Sequence, residues 1–107
     1  MTQIHLVLRR INPALKIDFV QVGYIKDGRF VNLPVSSFEN TILPTFLKTS
    51  SISDGCYIHH SDVSVLVSNL SLLPGFDVEY FDNTLVLMFD FKIDFNEISS
   101  KEENSEH

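Results

Sequence analysis

The sequence predicts an α+β fold: one small domain, mainly an antiparallel sheet of about five to six strands, with one or two short helices on one face. Three observations carry that expectation. From Leu85 to Phe95 apolar residues alternate without a break, the period of a strand with one buried face. Two dipeptides suited to tight turns, Asp27-Gly28 and Asp82-Asn83, sit between strand-like runs, and such turns join antiparallel neighbours. Residues 61–73 instead carry apolar side chains at helical spacing and are stopped by Pro74-Gly75.

Taken in order, Gln3 to Leu8 reads as a strand with Ile4, Leu6 and Leu8 on one side. The run VQVGYIKDGRFVNLPV reads as a hairpin. Closing it at Asp27-Gly28 pairs Tyr24 with Val31, Val22 with Leu33 and Val20 with Val35. Pro34 has no N–H to give, so the second strand lies at an edge or ends there. Ser36-Ser37-Phe38-Glu39 has the form of a capping box, followed by Phe38, Ile42 and Phe46 at helical spacing. Pro44 would clash with the carbonyl of Asn40, so the helix expected here is broken or in two pieces.

After the turn signal Asp54-Gly55, Cys56 to His60 is one short strand. Ser61 to Leu73 is expected to be a helix with a stripe of Val63, Leu66, Val67, Leu70 and Leu73, capped by Ser61. Valines at 63, 65 and 67 leave a strand as the rival reading. The last hairpin, closed at Asp82-Asn83, sets Tyr80 opposite Leu85, Val78 opposite Leu87 and Phe76 opposite Phe89. A slip of one residue would place Asp77 and Glu79 against the apolar row, so the register is well specified. The predicted order is β–β–β–α–β–α–β–β.

At 107 residues the chain fits one domain, placed at 1–96, with a polar tail at 97–107 expected to be disordered. One cysteine forms no disulfide within the chain, which suits a reducing compartment. The start, MTQIHLVLRR, lacks the pattern of a signal peptide, and no eighteen apolar residues run together. The expectation is a cytoplasmic protein without a membrane span. Net charge is −6, but residues 1–50 hold six Lys/Arg against three Asp/Glu, and residues 51–107 hold two against eleven. That acidity argues against nucleic-acid binding, which needs clustered Lys and Arg, and favours a basic protein partner.

The stretch DGCYIHHSD, residues 54–62, gathers the only cysteine with two histidines and two carboxylates. In a strand Cys56 and His59 point to opposite faces, and no second Cys/His pair is available to complete a zinc site. No metal and no cofactor is expected. A nucleophilic Cys56 with His5 or His60 is the enzyme alternative, but a lone cysteine is more often a small buried hydrophobe. There is no phosphate loop, GxSxG or HExxH.

The surface with the most character is the reverse of the last hairpin. If its alternating row faces the core, Asp77, Glu79 and Phe81 show on one strand and Val86, Met88, Asp90, Lys92 and Asp94 on the other. Carboxylates around a small apolar centre suit a basic protein, so Asp77, Glu79, Phe81, Val86, Met88, Asp90 and Asp94 are the expected partner-binding residues. A solvated face, or one covered by a helix of the same chain, is the bland alternative. The expected function is a non-catalytic binding module, a small acidic inhibitor or immunity-type protein that occludes its partner. A self-assembling subunit, such as a homodimer, is the second reading, and a small enzyme using Cys56 the third.

Overall fold

The computed structural model describes residues 1–49 and 55–95. Strands β1 (Thr2–Asn12), β2 (Ile17–Lys26), β3 (Arg29–Asn32), β4 (Lys48–Thr49), β5 (Cys56–His59), β6 (Asp77–Phe81) and β7 (Thr84–Phe91) form one seven-stranded sheet. Two short helices, α1 (Leu43–Phe46) and α2 (Val63–Leu70), complete the α+β architecture. The sheet order is β4-β5-β2-β1-β7-β6, with β3 also beside β2, and every pairing is antiparallel. The predicted tail at 97–107 and Asp54 of the Asp54-Gly55 turn lie outside the described residues.

Both hairpins close where the turn chemistry places them. Asp27 and Gly28 have φ of 52° and 75°, Asp82 and Asn83 φ of 48° and 59°. Positive φ at both central residues is the type I′ signature, whose twist matches that of the flanking strands. In the second hairpin Tyr80 faces Leu85 and Val78 faces Leu87, as the alternation requires.

The first hairpin is shorter than expected. Tyr24 pairs with Val31, and the Leu33 N–H still donates to the Val22 carbonyl at 2.7 Å, but β3 ends at Asn32. Pro34 then leads into a 3₁₀ turn at Val35–Phe38. Val20 is therefore free of Val35 and pairs with Cys56 instead. One edge of β2 is thus shared, Ile17 to Val20 taken by β5 and Gly23 to Lys26 by β3.

The core lies on one face of the sheet. Ile4, Leu6 and Leu8 of β1, Val20 and Val22 of β2, Cys56 and Ile58 of β5, and Leu87 and Phe89 of β7 are all buried. Leu66 and Leu70 of α2, Leu43 of α1, Leu47 and Phe38 close over them in the same cluster. Each such large apolar side chain contributes roughly 1.5–3 kcal/mol through removal from water.

The 61–73 segment is helical, and its valines show why. Leu66 and Leu70 are buried, while Val65, which a strand would place with Val63 and Val67, is 47% exposed. The helix starts at Val63 after a 3₁₀ turn at His60–Asp62. Ser61 makes no cap; its hydroxyl lies 3.2 Å from His59 Nδ1. The other helical segment is in two pieces, as Pro44 requires: the 3₁₀ turn, then α1 with the proline in its first turn. Thr41 joins them, donating to the Phe38 carbonyl at 2.6 Å and accepting from the Leu43 N–H at 3.2 Å. The expected capping box is not formed, since the residue at the cap position is Pro34.

Gly23 gives a test of the β2–β3 packing. A methyl group there would run into the Val31 carbonyl oxygen and the Phe30 ring, both held by the hairpin. Gly23→Ala should lower stability by about 1–3 kcal/mol in a denaturant titration, because overpacking must displace backbone. No loss would mean that Phe30 does not lie over Gly23.

Candidate functional site

The face opposite the core is built by register. Antiparallel pairing sets Asp77 opposite Met88 and Glu79 opposite Val86, and on the inner side His5 opposite Met88 and Val7 opposite Val86. The buried residues of both helices belong to the other layer, so no described helix covers this side. All five β6 residues are exposed, with Phe81 at 52%, Val78 at 41% and Tyr80 at 70%.

The predicted site residues divide. Asp77, Glu79 and Phe81 stand open on the outermost strand. Val86 and Met88 lie on the same face but are only 6% exposed, flanked on both sides by their β1 and β6 neighbours. They form a floor and not the contact surface the sequence implied. Asp90 is half-buried, its carboxylate against Gly75 where an added Cβ would collide with it, and its N–H donates to the Pro74 carbonyl at 2.8 Å. It belongs to the connection that brings α2 into β6. Asp94 and Lys92 lie beyond the end of β7 at Phe91, so strand pairing does not fix their place, although Ile93 between them still packs on the core.

His5 is the titratable group inside this face. Burial pushes its imidazole below the ordinary value of 6.5, while the Glu79 carboxylate pulls it back up. Below 6.5 the unfolded chain takes up a proton that the folded chain resists. The stability this group supports is therefore complete above that pH and declines as pH falls through the folded value. Glu79→Gln removes the opposing charge and should lower the His5 value further, read from the ring resonances in an NMR titration. An unchanged titration would separate Glu79 from His5.

A second cluster was not anticipated. Asp18, 6% exposed, accepts from His60 Nδ1 at 3.1 Å through Oδ2, and its Oδ1 lies 3.5 Å from Arg10 Nε. Arg10 Nη2 is 2.8 Å from both ring nitrogens of His60; with Nδ1 carrying the hydrogen for Asp18, Nε2 is the acceptor. These residues close the end of the core where β1, β2 and β5 run out. A cavity of about 200 Å³ separates them from Tyr80 and Asn83 of the last hairpin. The three groups satisfy one another, so the cluster acts as a polar lock on the strand ends. The alternation Asp18-Val20-Val22 puts Asp18 on the core face, since β2 begins at Ile17, three residues before the apolar run at Val20 that marks the strand in the sequence.

Cys56 is buried with its Sγ 3.5 Å from the Val20 carbonyl, and burial pushes its thiol up to about 11. At neutral pH almost none is thiolate, the nucleophilic form. His5 pairs in register with Gly23 on the opposite face from Cys56, and the His60 ring is engaged by Asp18 and Arg10. A thiol reagent at pH 8 should therefore label Cys56 only at the rate of unfolding; fast labelling of the native chain would contradict this burial. Among the described residues no three or more His, Cys, Asp or Glu side chains are grouped to hold a metal ion. Among them, too, no helix is long and apolar enough to cross a membrane. The chain matches no family model, no curated protein and no solved structure.

Proposed function

We propose that this chain is a non-catalytic binding module that takes a basic protein on the outer half of its C-terminal hairpin. It acts by occlusion, as a small inhibitor or immunity-type protein in the cytoplasm would. One observation supports this most: Asp77, Glu79 and Phe81 stand exposed together on the outermost strand, on a face that no described helix covers. Carboxylates there steer a cationic partner, and an exposed ring beside them gives apolar area to bury once it arrives. Val86 and Met88 beneath supply a packed base that holds the strand in place.

The test is retention of proteins from the native host by the full chain, comparing wild type with Asp77→Lys/Glu79→Lys. The wild type should retain a basic protein whose association rate falls about tenfold or more with the double charge reversal, and which weakens with added salt. Equal association by both would remove this face from the function.

A further inference from the structure

We infer that the partner joins the sheet as an extra strand on the free edge of β6, through an extended segment basic on one face and apolar on the other. This rests on the binding reading above and specifies its contact.

In a hairpin with a two-residue turn, the residues flanking the turn exchange both backbone hydrogen bonds, and the exchange recurs at every second pair. Here those pairs are Phe81 with Thr84, Glu79 with Val86 and Asp77 with Met88. The backbone N–H and C=O groups of Val78 and Tyr80 therefore point away from β7, toward the sheet's outer edge. β6 is the last strand in the order, and each of its residues is exposed. The Val78 N–H is already met by the Asp77 carboxylate at 2.8 Å. Among the described residues the Tyr80 N–H and C=O and the Val78 C=O have no backbone partner and remain for a new strand.

β6 has no proline, lysine or bulge among Asp77–Phe81; its edge is guarded only by its shortness and by the Asp77 and Glu79 carboxylates, which repel an acidic strand and admit a basic one. Its side chains set the pattern an incoming strand must meet. On one face Asp77 and Glu79 call for Lys or Arg; on the other Val78 and Tyr80, 41% and 70% exposed, call for apolar neighbours. A basic strand fits better than a second copy. Antiparallel pairing of β6 with itself centred on Val78 or Glu79 would set carboxylate beside carboxylate, and centred on Tyr80 it would leave Glu79 beside Phe81 without a cation.

The probe is a seven-residue peptide alternating lysine and valine, with a glutamate–valine peptide as control, titrated into the full chain. Two variants separate edge from face. Tyr80→Pro removes an outward N–H and no bond to β7; Asp77→Lys/Glu79→Lys reverses the charge. The expected result is binding of the lysine peptide only, with exchange of the Tyr80 amide slowed at least about tenfold and affinity at least about tenfold weaker in Tyr80→Pro. Should the proline variant fail to unfold cooperatively, Tyr80 amide exchange in the wild type decides alone. Peptide binding lost on charge reversal, with Tyr80→Pro unaffected and the Tyr80 amide unprotected, overturns the edge inference and leaves the face reading standing. Equal binding of both peptides, or concentration-dependent self-association through β6, overturns the strand specificity. No binding of the lysine peptide, with a host partner still retained through Asp77 and Glu79, also overturns it.

Discussion

Phe89→Ala is expected to lower the stability of this protein by about 3–5 kcal/mol, the range for deleting a large buried ring and leaving a cavity. Phe89 is 1% exposed and pairs with Ile4, itself fully buried, at the centre of the sheet. It also lines a cavity of about 320 Å³ between Leu43 of α1 and Leu70 of α2, which loss of the ring would enlarge. A domain of ordinary stability holds only about 5–15 kcal/mol, so the variant should unfold at much lower urea. Val78→Thr, on the exposed edge strand of the same hairpin, should stay within about 0.5 kcal/mol of wild type. Equal effects of the two would mean that Phe89 is no better buried on its inner strand than Val78 is on the edge strand of the same face.

Asp18→Ala should cost about 1–3 kcal/mol, measured the same way. The change strips the shared acceptor from Arg10 and His60, but both are about half exposed, with side chains at 44% and 47%, and can turn to water. The loss is therefore smaller than for a fully buried pair, where an orphaned charge costs more. Asp18→Asn keeps an acceptor for one partner and should fall between wild type and alanine. A neutral or stabilising Asp18→Ala would mean that desolvating this carboxylate offsets all it gains from its two partners.

How far the sequence reveals this molecule depends on whether a feature is local. The two type I′ turns were legible because Asp27-Gly28 and Asp82-Asn83 lie between alternating runs, and the turn then fixes the register. The Pro44 break and the α2 stripe were legible for the same reason. Partners distant in sequence were not. Nothing local announces that β1 sits between β2 and β7, or that β2 gives one edge to both β3 and β5. The Arg10, Asp18 and His60 cluster depends on both facts, since its members come from three chain segments that only the sheet order brings together.

Within the candidate face, alternation placed Asp77, Glu79, Phe81, Val86 and Met88 on one side, where the register puts them. Exposure was not readable, because Val86 and Met88 are covered by neighbours that include His5 and Val7 from the far end of the chain. Asp94 follows the same alternation in sequence but lies past the end of β7, where no strand pairing fixes its side.

The binding claim is tested most directly by hydrogen–deuterium exchange of the full chain with and without the basic protein it retains. Slowed exchange confined to residues 77–90, with the α2 and β3 amides unchanged, is the predicted footprint. Protection centred on β3 or α2, with the C-terminal hairpin exchanging as it does alone, would contradict it.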